Sequence, residues 1–455
     1  MAHSKPTKQE ISMQFRNYIL CMLILLLASC ARTSSDKITP NANQPIDNQE
    51  EVAIPKIHVK SGLDVLIEMN YAPLLHKNVA IVTNHTAMSA SGEHLLDLIS
   101  QHPDINLVVI YGPEHGLRGN ASAGAKVSNG IDEKTGVKVL SLYGKNRRPD
   151  SLATLGVDLV IFDIQDIGAR FYTYISTMGY VMEACAEQNI PLFILDRMNP
   201  ISGKINGPIL NNDYKSFVGM YPIPIQHGMT TGELALMIKG EAWIENVKSL
   251  KLRVIEVQGW NRDMIQSQTS SDWISPSPNM RNLNEALLYP GLCLIEGTNV
   301  SEGRGTDFPF ERIGAPFING KTIIAASETW GIEGIEIEAI EFTPISMPGR
   351  SEHPKWENVQ CFGIHSRVTD IHTFDAIKYT VKLLTFFQNE YLDQFVIKEK
   401  SLNRLWGDDS LTKLLHKDIT QEALFEGIEK DITHFKLLSS TYLLYPQLTD
   451  KHEFK

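Results

Sequence analysis

The stretch VDLVIFDIQD, residues 157–166, decides the fold that the sequence predicts. Its first six residues form a nearly continuous apolar run, which is typical of a strand buried on both faces of a parallel sheet. Polar residues follow at once, where such a strand would end. Similar apolar runs recur at residues 78–82, 106–110, 137–142, 191–195 and 250–257, and segments with helical spacing lie between them at 63–75, 94–102, 170–188 and 231–243. This alternation predicts an α/β domain built on a parallel sheet.

The composition of the chain changes after residue 271, where proline- and glycine-rich stretches that predict loops begin. Further along, residues 335–342 and 359–368 are predicted as strands, and residues 374–391, 401–416 and 421–436 as helices. The segment therefore predicts a smaller α+β domain. We place the first domain at residues 57–288 and the second at 289–455.

The N-terminal residues 1–29 are predicted to be a lipoprotein signal peptide. Arg16 precedes an apolar run at 19–27, which is too short to span a bilayer and has the length of a signal-peptide core. Leu-Ala-Ser-Cys at 27–30 resembles the bacterial lipobox and predicts lipidation of Cys30, with residues 30–56 as a flexible tether. The alternative is an ordinary secretory signal with an incidental cysteine. The sequence thus predicts a membrane-anchored protein of the cell envelope that faces the periplasm.

Composition excludes several classes of protein. The chain carries 42 Lys and Arg residues against 53 Asp and Glu, a net charge of −11. It therefore lacks the excess of positive charge that is typical of nucleic-acid-binding proteins. Five cysteines in 455 residues exclude a disulfide scaffold. Cys185, Cys293 and Cys361 lie in apolar segments and are predicted to be buried free thiols, although a disulfide pair among them stays open.

Standard cofactor and nucleophile motifs are absent from the sequence. The first predicted strand is not followed by G-x-G-x-x-G, and neither a P-loop nor a G-x-S-x-G motif occurs. The spacing of His85, His115 and His227 matches no standard metal site. We therefore expect no nucleotide, no metal and no other cofactor, and no serine-hydrolase chemistry.

Polar side chains collect where the predicted strands end. Because parallel strands share one carboxyl edge, these residues should meet at a ligand site: Asn84, Glu114, Asp163, Gln165, Asp196, Arg197 and Asn199. Asp163 is explained equally well as the cap of a following helix, and Asp196 can be explained as the partner of an arginine in an ion pair. The stretch EGTNVSEGRGT at 296–306 adds a polar loop. Paired carboxylates without a cofactor motif suggest glycoside hydrolysis.

Six segments resemble one family, the YbbC/NamZ-type exo-β-N-acetylmuramidases. They are YGPEHGLRG at 111–119, FDIQDIGARFYTY at 162–174, LDRMNP at 195–200, HGMTTGE at 227–233, PSPNM at 276–280 and the loop at 296–306. The resemblance covers residues 60–455. It implies a Rossmann-like N-terminal domain without a nucleotide and an active cleft completed by the C-terminal domain. It also implies release of N-acetylmuramic acid from non-reducing ends of peptidoglycan fragments, with Glu114 as the catalytic residue.

From these observations we assign roles to particular residues. Glu114 is the expected general acid or acid/base, with Glu302 as the second carboxyl group and Asp163 as the next choice. The expected substrate-binding residues are Asn84, His115, Arg118, Gln165, Arg170, Tyr172, Asp196, Arg197, Asn199, His227, Asn279, Asn299 and Arg304. An arginine, Arg304 or Arg118, should meet the lactyl carboxylate of N-acetylmuramic acid. Retaining, inverting and substrate-assisted mechanisms stay open. The alternative function is that of a non-catalytic muropeptide-binding lipoprotein.

Overall fold

The computed structural model describes residues 56–117, 129–144 and 146–447. The predicted signal peptide, Cys30, all of the tether except Lys56, and Arg118 lie outside these residues. In the N-terminal region the strands are β1 (Lys77–Thr83), β2 (Ile105–Gly112), β3 (Gly130–Ile131), β4 (Lys138–Ser141), β5 (Leu159–Asp163), β6 (Leu192–Leu195), β7 (Asn206–Ile209), β8 (Pro224–Gln226) and β9 (Leu252–Ile255). The helices there are α1 (Gly62–Glu68), α2 (Leu95–Ser100), α3 (Tyr174–Glu187) and α4 (Thr231–Gly240).

The main sheet confirms the predicted α/β fold. Its strand order is β3-β4-β2-β1-β5-β6-β9, and all neighbours are parallel except the short edge pair β3 and β4. Without β3, this is the strand order of the Rossmann fold. In that fold successive strands are added first on one side of β1 and then on the other, so the order switches between β1 and β5. Strands β7 and β8 form a separate antiparallel hairpin.

Both faces of the sheet are covered, as the apolar runs predicted. Val79 and Ile81 of β1 pack in one hydrophobic cluster with residues of α1 and α2. Ala80 and Val82 point to the opposite face and belong to a second cluster with residues of α3 and α4. Successive side chains of a strand point to opposite faces, so a strand covered by helices on both sides must be apolar throughout.

The C-terminal region is smaller and mixes helices with an antiparallel sheet. Its strands are ordered β10-β12-β11 and its elements are α5 (Leu283–Leu292), β10 (Arg312–Ala315), α6 (Gly320–Ser327), β11 (Ile335–Phe342), β12 (Cys361–Val368), α7 (Ala376–Glu390), α8 (Glu399–Trp406), α9 (Ser410–Leu415) and α10 (Gln421–Ser439). The cluster that covers Ala80 and Val82 continues without interruption to Ile364 of β12 and Leu384 of α7. The two regions therefore share one hydrophobic core.

Three local predictions were wrong. The segment at 63–75 is not one helix, because Asn70 and Tyr71 have positive φ and a short 3₁₀ turn at Ala72–Leu74 follows. The segment at 401–416 breaks at Gly407, whose φ of 109° ends α8. Tyr289-Pro290-Gly291, one of the proline- and glycine-rich stretches after residue 271 that predict loops, lies inside helix α5. The domain limits stay a prediction, and the limit at 288/289 falls within this helix.

Two further sequence features can be compared with the structure. Cys185, Cys293 and Cys361 are buried and unpaired, which confirms the prediction of free thiols. Among the described residues, no helix combines the length and apolarity needed to cross a membrane.

Arg170 joins the two regions and does not reach a ligand site. Its guanidinium is buried and donates to the carbonyl oxygens of Pro208 and Ile223 and to those of Leu405 and Trp406 at the end of α8. Gly407 lies so close that a Cβ there would be 2.7 Å from an Arg170 nitrogen. Burial lowers the pKa of Arg170 to about 9, so the group is still protonated at neutral pH. The expected substrate-binding role of Arg170 is therefore corrected to a structural one.

We expect Arg170→Met to destabilise the protein by at least about 3 kcal/mol, because buried carbonyls that lose their donor cost about 1–3 kcal/mol each. Chemical unfolding at neutral pH measures this. Arg148→Met is the control, since the partners of Arg148, Asp150, Glu183 and Glu187, are partly exposed, and such pairs contribute about 0–1 kcal/mol. Equal losses in the two variants would contradict the structural role of Arg170.

Candidate active site

Glu114 lies in a tight turn directly after β2. The amide of Gly116 donates to the Pro113 carbonyl at 3.0 Å, and both His115 and Gly116 have positive φ, 68° and 75°. A positive φ is uncommon at a residue other than glycine and is often found at functional sites. The turn holds the Glu114 carboxylate at the carboxyl edge of the sheet, as the sequence predicted.

Two hydroxyl groups bind the Glu114 carboxylate. The Thr173 hydroxyl donates to Oε2 of Glu114 at 2.7 Å. Thr173 occupies the N-cap position of α3, yet its side chain makes no capping bond, because the hydroxyl is directed to Glu114 instead. The Tyr143 hydroxyl also bonds to Glu114, and burial together with this carboxylate raises the pKa of Tyr143 to about 12. These contacts fix the orientation of the carboxyl group.

Glu114 lines a cavity of about 170 Å³. Aromatic rings from both regions form much of its wall: Phe171, Tyr172, Tyr174, Tyr289 and Phe310. They pack edge to face, with ring centroids 5.1 Å apart for Tyr172 and Tyr174 and 4.7 Å apart for Tyr289 and Phe310. Burial raises the pKa of both Tyr172 and Tyr289 well above the usual value. Both phenols are therefore neutral and add no charge to the cavity wall.

A second carboxylate, Glu296, lines the same cavity. Two nitrogens of Arg304 donate to its Oε1 at 2.9 and 3.2 Å, and the Arg304 guanidinium lies 5.0 Å from the centre of the Phe310 ring. Glu296 and Arg304 come from the C-terminal region, whereas Glu114 comes from the N-terminal region. The cavity therefore has carboxylates on walls supplied by both parts of the chain.

Glu302, the predicted second carboxyl group, does not line this cavity. It is 4% exposed, lies 2.9 Å from Lys355 and 3.6 Å from Arg304, and is set behind Arg304. Burial would raise its pKa, but the charges of Lys355 and Arg304 outweigh burial and hold the pKa below its usual value. Glu302 is thus an ionised partner of two cations, and the structure offers Glu296 in its place.

The other predicted residues fall into groups. His115, Tyr172, Asn279 and Arg304 line the Glu114 cavity. Gln165 and Arg197 line a different and larger cavity. Neither cavity is lined by Asn84, Asp163, Arg170, Asp196, Asn199, His227, Asn299 or Glu302.

Asn84 and Tyr174 position the loop that forms one wall of the site. The Asn84 amide donates to the Tyr174 hydroxyl at 3.0 Å, and that hydroxyl donates to the Pro276 carbonyl at 2.7 Å. On the same loop, the side chain of Asn279 donates to the Arg350 carbonyl. Asn84 thus acts through Tyr174 and not by direct contact with the cavity.

Asp163 and Arg197 bind each other. Two nitrogens of Arg197 meet the two carboxylate oxygens of Asp163 at 2.5 and 3.0 Å, and Asp163 is completely buried. This pairing leaves Asp163 no access to a substrate, so its proposed catalytic use is corrected to that of an ion-pair partner.

Asp196, Asn199 and His227 tie neighbouring loops together. The Asn199 side chain bonds to the Met229 carbonyl and the Ile201 amide. Nδ1 of His227 accepts from the Met229 amide, and its Nε2 lies 3.4 Å from Asp166. Asn299 performs the same kind of task in the C-terminal region, with backbone bonds to Gln394 and Val396. These predicted binding residues are structural in this fold.

Two family models match consecutive parts of the chain. Residues 79–284 match the model described as exo-beta-N-acetylmuramidase NamZ, N-terminal, and residues 287–445 match its C-terminal counterpart. The chain is also 38% identical over 410 residues to peptidoglycan beta-N-acetylmuramidase NamZ of Bacillus subtilis (strain 168), covering 90% of this chain and 96% of that protein. This chain belongs to the NamZ exo-β-N-acetylmuramidase family. It is a glycoside hydrolase.

Solved structures support the family fold. A DUF1343 family protein from Bacteroides fragilis NCTC 9343 has a TM-score of 0.78 and 32% identity, covering 86% of this chain and all of that one. A second protein of that family and organism has a TM-score of 0.67 and 34% identity, covering 85% of this chain and 99% of its own.

Within this NamZ-family site, sequence reasoning missed Tyr143, Thr173 and Glu296. Glu296 stands in the same polar stretch of sequence as Glu302, but lies in the 3₁₀ helix Cys293–Gly297, so the residue types were visible but their directions were not. Thr173 lies between two tyrosines of a quoted motif, and nothing in the sequence shows that its hydroxyl leaves the helix cap. Tyr143 follows β4, which is distant in sequence from Glu114.

The buried Asp196 generates a pH prediction. Its carboxylate accepts from the Thr230 and Tyr445 hydroxyls at 2.7 and 2.5 Å and from the Gly232 amide at 2.7 Å. Burial nevertheless raises the pKa of Asp196 to about 7. In the folded state Asp196 therefore keeps a proton that the unfolded chain releases near pH 4, so its contribution to stability is lost as the pH rises through 7.

We expect the free energy of unfolding of the wild-type protein to fall relative to Asp196→Asn by about 2 kcal/mol between pH 5 and pH 8. Chemical unfolding of both proteins at several pH values measures the difference. The change with pH of the difference in unfolding free energy is decisive. A difference that is the same at every pH reflects only the hydrogen bonds that the substitution alters. If the unfolding free energies of the two proteins changed with pH in the same way, Asp196 would ionise normally in the folded state.

Proposed function

We propose that this protein releases N-acetylmuramic acid from the non-reducing ends of peptidoglycan fragments and that Glu114 transfers the proton. The observation that carries the proposal is the sharing of one small aromatic cavity by Glu114 and Glu296 in a chain of the NamZ family. The Bacillus subtilis relative is named for peptidoglycan β-N-acetylmuramidase activity, which supports this substrate.

The geometry suits general acid catalysis on a glycosidic bond. A protonated Glu114 carboxyl would deliver its proton to the leaving oxygen, held in direction by Thr173 and Tyr143. Glu296, kept beside the Arg304 guanidinium, would stabilise the positive charge that develops at the anomeric carbon.

Arg304 is already paired with Glu296 and lies near Glu302. A substrate carboxylate would therefore approach a cation whose charge is balanced. The choice between Arg304 and Arg118 for the lactyl carboxylate stays a prediction, and Arg118 lies outside the described residues.

We expect Glu114→Gln to lower turnover of a disaccharide with non-reducing N-acetylmuramic acid by about 10²–10⁴-fold, because the variant keeps the shape and removes the proton. Release of the free sugar is the measurement. An activated aryl glycoside should lose less, since its leaving group departs without protonation. Glu296→Gln should also be slow on both substrates.

Glu133→Gln is the matched control, because Glu133 is exposed in a turn and lines neither this cavity nor the larger one. Near wild-type turnover by Glu114→Gln would refute the assignment of Glu114. Binding of the disaccharide by the wild-type protein without release of sugar would favour the non-catalytic muropeptide-binding function.

We also propose that Cys30 carries a lipid and anchors the protein in the cell envelope, facing the periplasm. The support is the lipobox-like sequence at 27–30 after a short apolar run. We expect Cys30→Ala to abolish incorporation of labelled fatty acid, whereas Cys21→Ala, within the apolar run, should leave it unchanged. Labelling of Cys30→Ala at the wild-type level would contradict the anchor.

A further inference from the structure

A second cavity of about 560 Å³ lies on the other side of the loop at residues 275–280 from Glu114. Pro276 of this loop lines the larger cavity, and the next residue, Ser277, lines the Glu114 cavity. The larger cavity opens at the carboxyl edge of the sheet, where Thr86 follows β1 and Gln165 follows β5. This is the point at which the strand order reverses, and ligands of open α/β sheets bind there.

The cavity is not built for a nucleotide phosphate. Helix α2, which follows β1, has only six residues, and the Nδ1 atom of its N-cap residue His94 already accepts from the Leu96 amide. The loop after β1 contributes Met88, Ser89, Ala90 and a single glycine, Gly92, to the lining, whereas a phosphate-binding turn needs several glycines. A phosphate therefore finds neither a free helix terminus nor a glycine-rich loop.

The charge of the lining also disfavours anions. Arg197 is the one Lys or Arg side chain among the described lining residues, and Asp163 neutralises it through two hydrogen bonds. Asp64 and Asp272 add two carboxylates to the lining. A ligand that is neutral overall fits this balance better than a carboxylate or a phosphate.

The polar groups are placed for a ligand with hydroxyl and amide groups. The Gln165 side-chain nitrogen donates to the carbonyls of Asp166 and Met198, and that of Gln266 donates to the Ser271 carbonyl. Carbonyls only accept, so these bonds fix both amides with the nitrogen toward the backbone. The oxygen of each amide has no hydrogen-bond donor among the described residues and remains able to accept from a ligand.

An aromatic ring completes the set. Trp273 is half-buried in the cavity wall, and its indole N–H donates to the Met280 carbonyl at 3.2 Å, which fixes the ring. An apolar ring beside amide acceptors and hydroxyls suits a sugar, which offers an apolar face and polar edges. The cavity volume lies within the range of about 300–1,000 Å³ that is usual for small-ligand sites.

We propose that this cavity is a second saccharide site that binds a neutral N-acetylhexosamine residue, separate from the Glu114 cavity. The choice of an amino sugar rests on the proposed function, because the glycan of peptidoglycan carries such a residue next to each N-acetylmuramic acid. The loop at 275–280, held by Tyr174 and by His85 through the Ser275 carbonyl, would place the two sugars on its two sides.

The test uses N,N′-diacetylchitobiose, a neutral disaccharide without N-acetylmuramic acid, titrated calorimetrically into the wild-type protein and Glu114→Gln. Both proteins should bind it with equal affinity, and saturating N-acetylmuramic acid should not displace it. Ala90→Trp, at an exposed position on the rim of the cavity, should weaken binding by at least about tenfold, a change of about 1.4 kcal/mol. Ala153→Trp, at an exposed position away from the cavity, is the matched control and should bind like the wild-type protein.

Trp273→Leu provides a second variant that removes the ring and should also weaken binding. The proposal is overturned if chitobiose does not bind, if Ala90→Trp and Trp273→Leu both bind normally, or if N-acetylmuramic acid competes. Tighter binding of adenosine monophosphate than of chitobiose would overturn it in favour of a nucleotide site. Because chitobiose is not cleaved by a muramidase, loss of the proposed activity and loss of this site give separate results.

Discussion

Six parallel strands end at one edge of the sheet, and every loop that leaves this edge must fit within the same small volume. The loops after β1, β2, β5 and β6 bring polar backbone and side chains into a region that helices and the C-terminal domain cover. A buried polar group without a partner costs about 1–3 kcal/mol. The structure meets this constraint by using side chains of one loop to bind the backbone of another.

This constraint explains why so many polar residues at the sheet edge are structural. Arg170 donates to four carbonyls, and Asp163 and Arg197 neutralise each other. Asn84 acts on the Pro276 loop through Tyr174. Such residues hold the cavity walls in place, whereas few of the polar residues at the edge line the Glu114 cavity themselves.

The Glu114 cavity depends on the shared core of the two regions. Glu114 and Thr173 belong to the Rossmann-like part, and Glu296 and Arg304 to the smaller part. One hydrophobic cluster runs through both regions. The packing of this shared core therefore sets the position of Glu296 relative to Glu114. The aromatic rings of Tyr289 and Phe310 extend that core to the cavity wall.

The sequence by itself determined the α/β class, the positions of the six parallel strands and Glu114 as the leading candidate. Apolar runs of strand length carry that information locally, and a polar residue directly after a buried strand must lie at the sheet edge. Only the tertiary structure decided which polar residues face a ligand and which bind other loops. Glu296 and Glu302 have the same chemistry and stand six residues apart, yet packing directs one into the cavity and the other onto Lys355. The direction of each side chain depends on contacts with residues distant in sequence, so no local pattern could have told them apart.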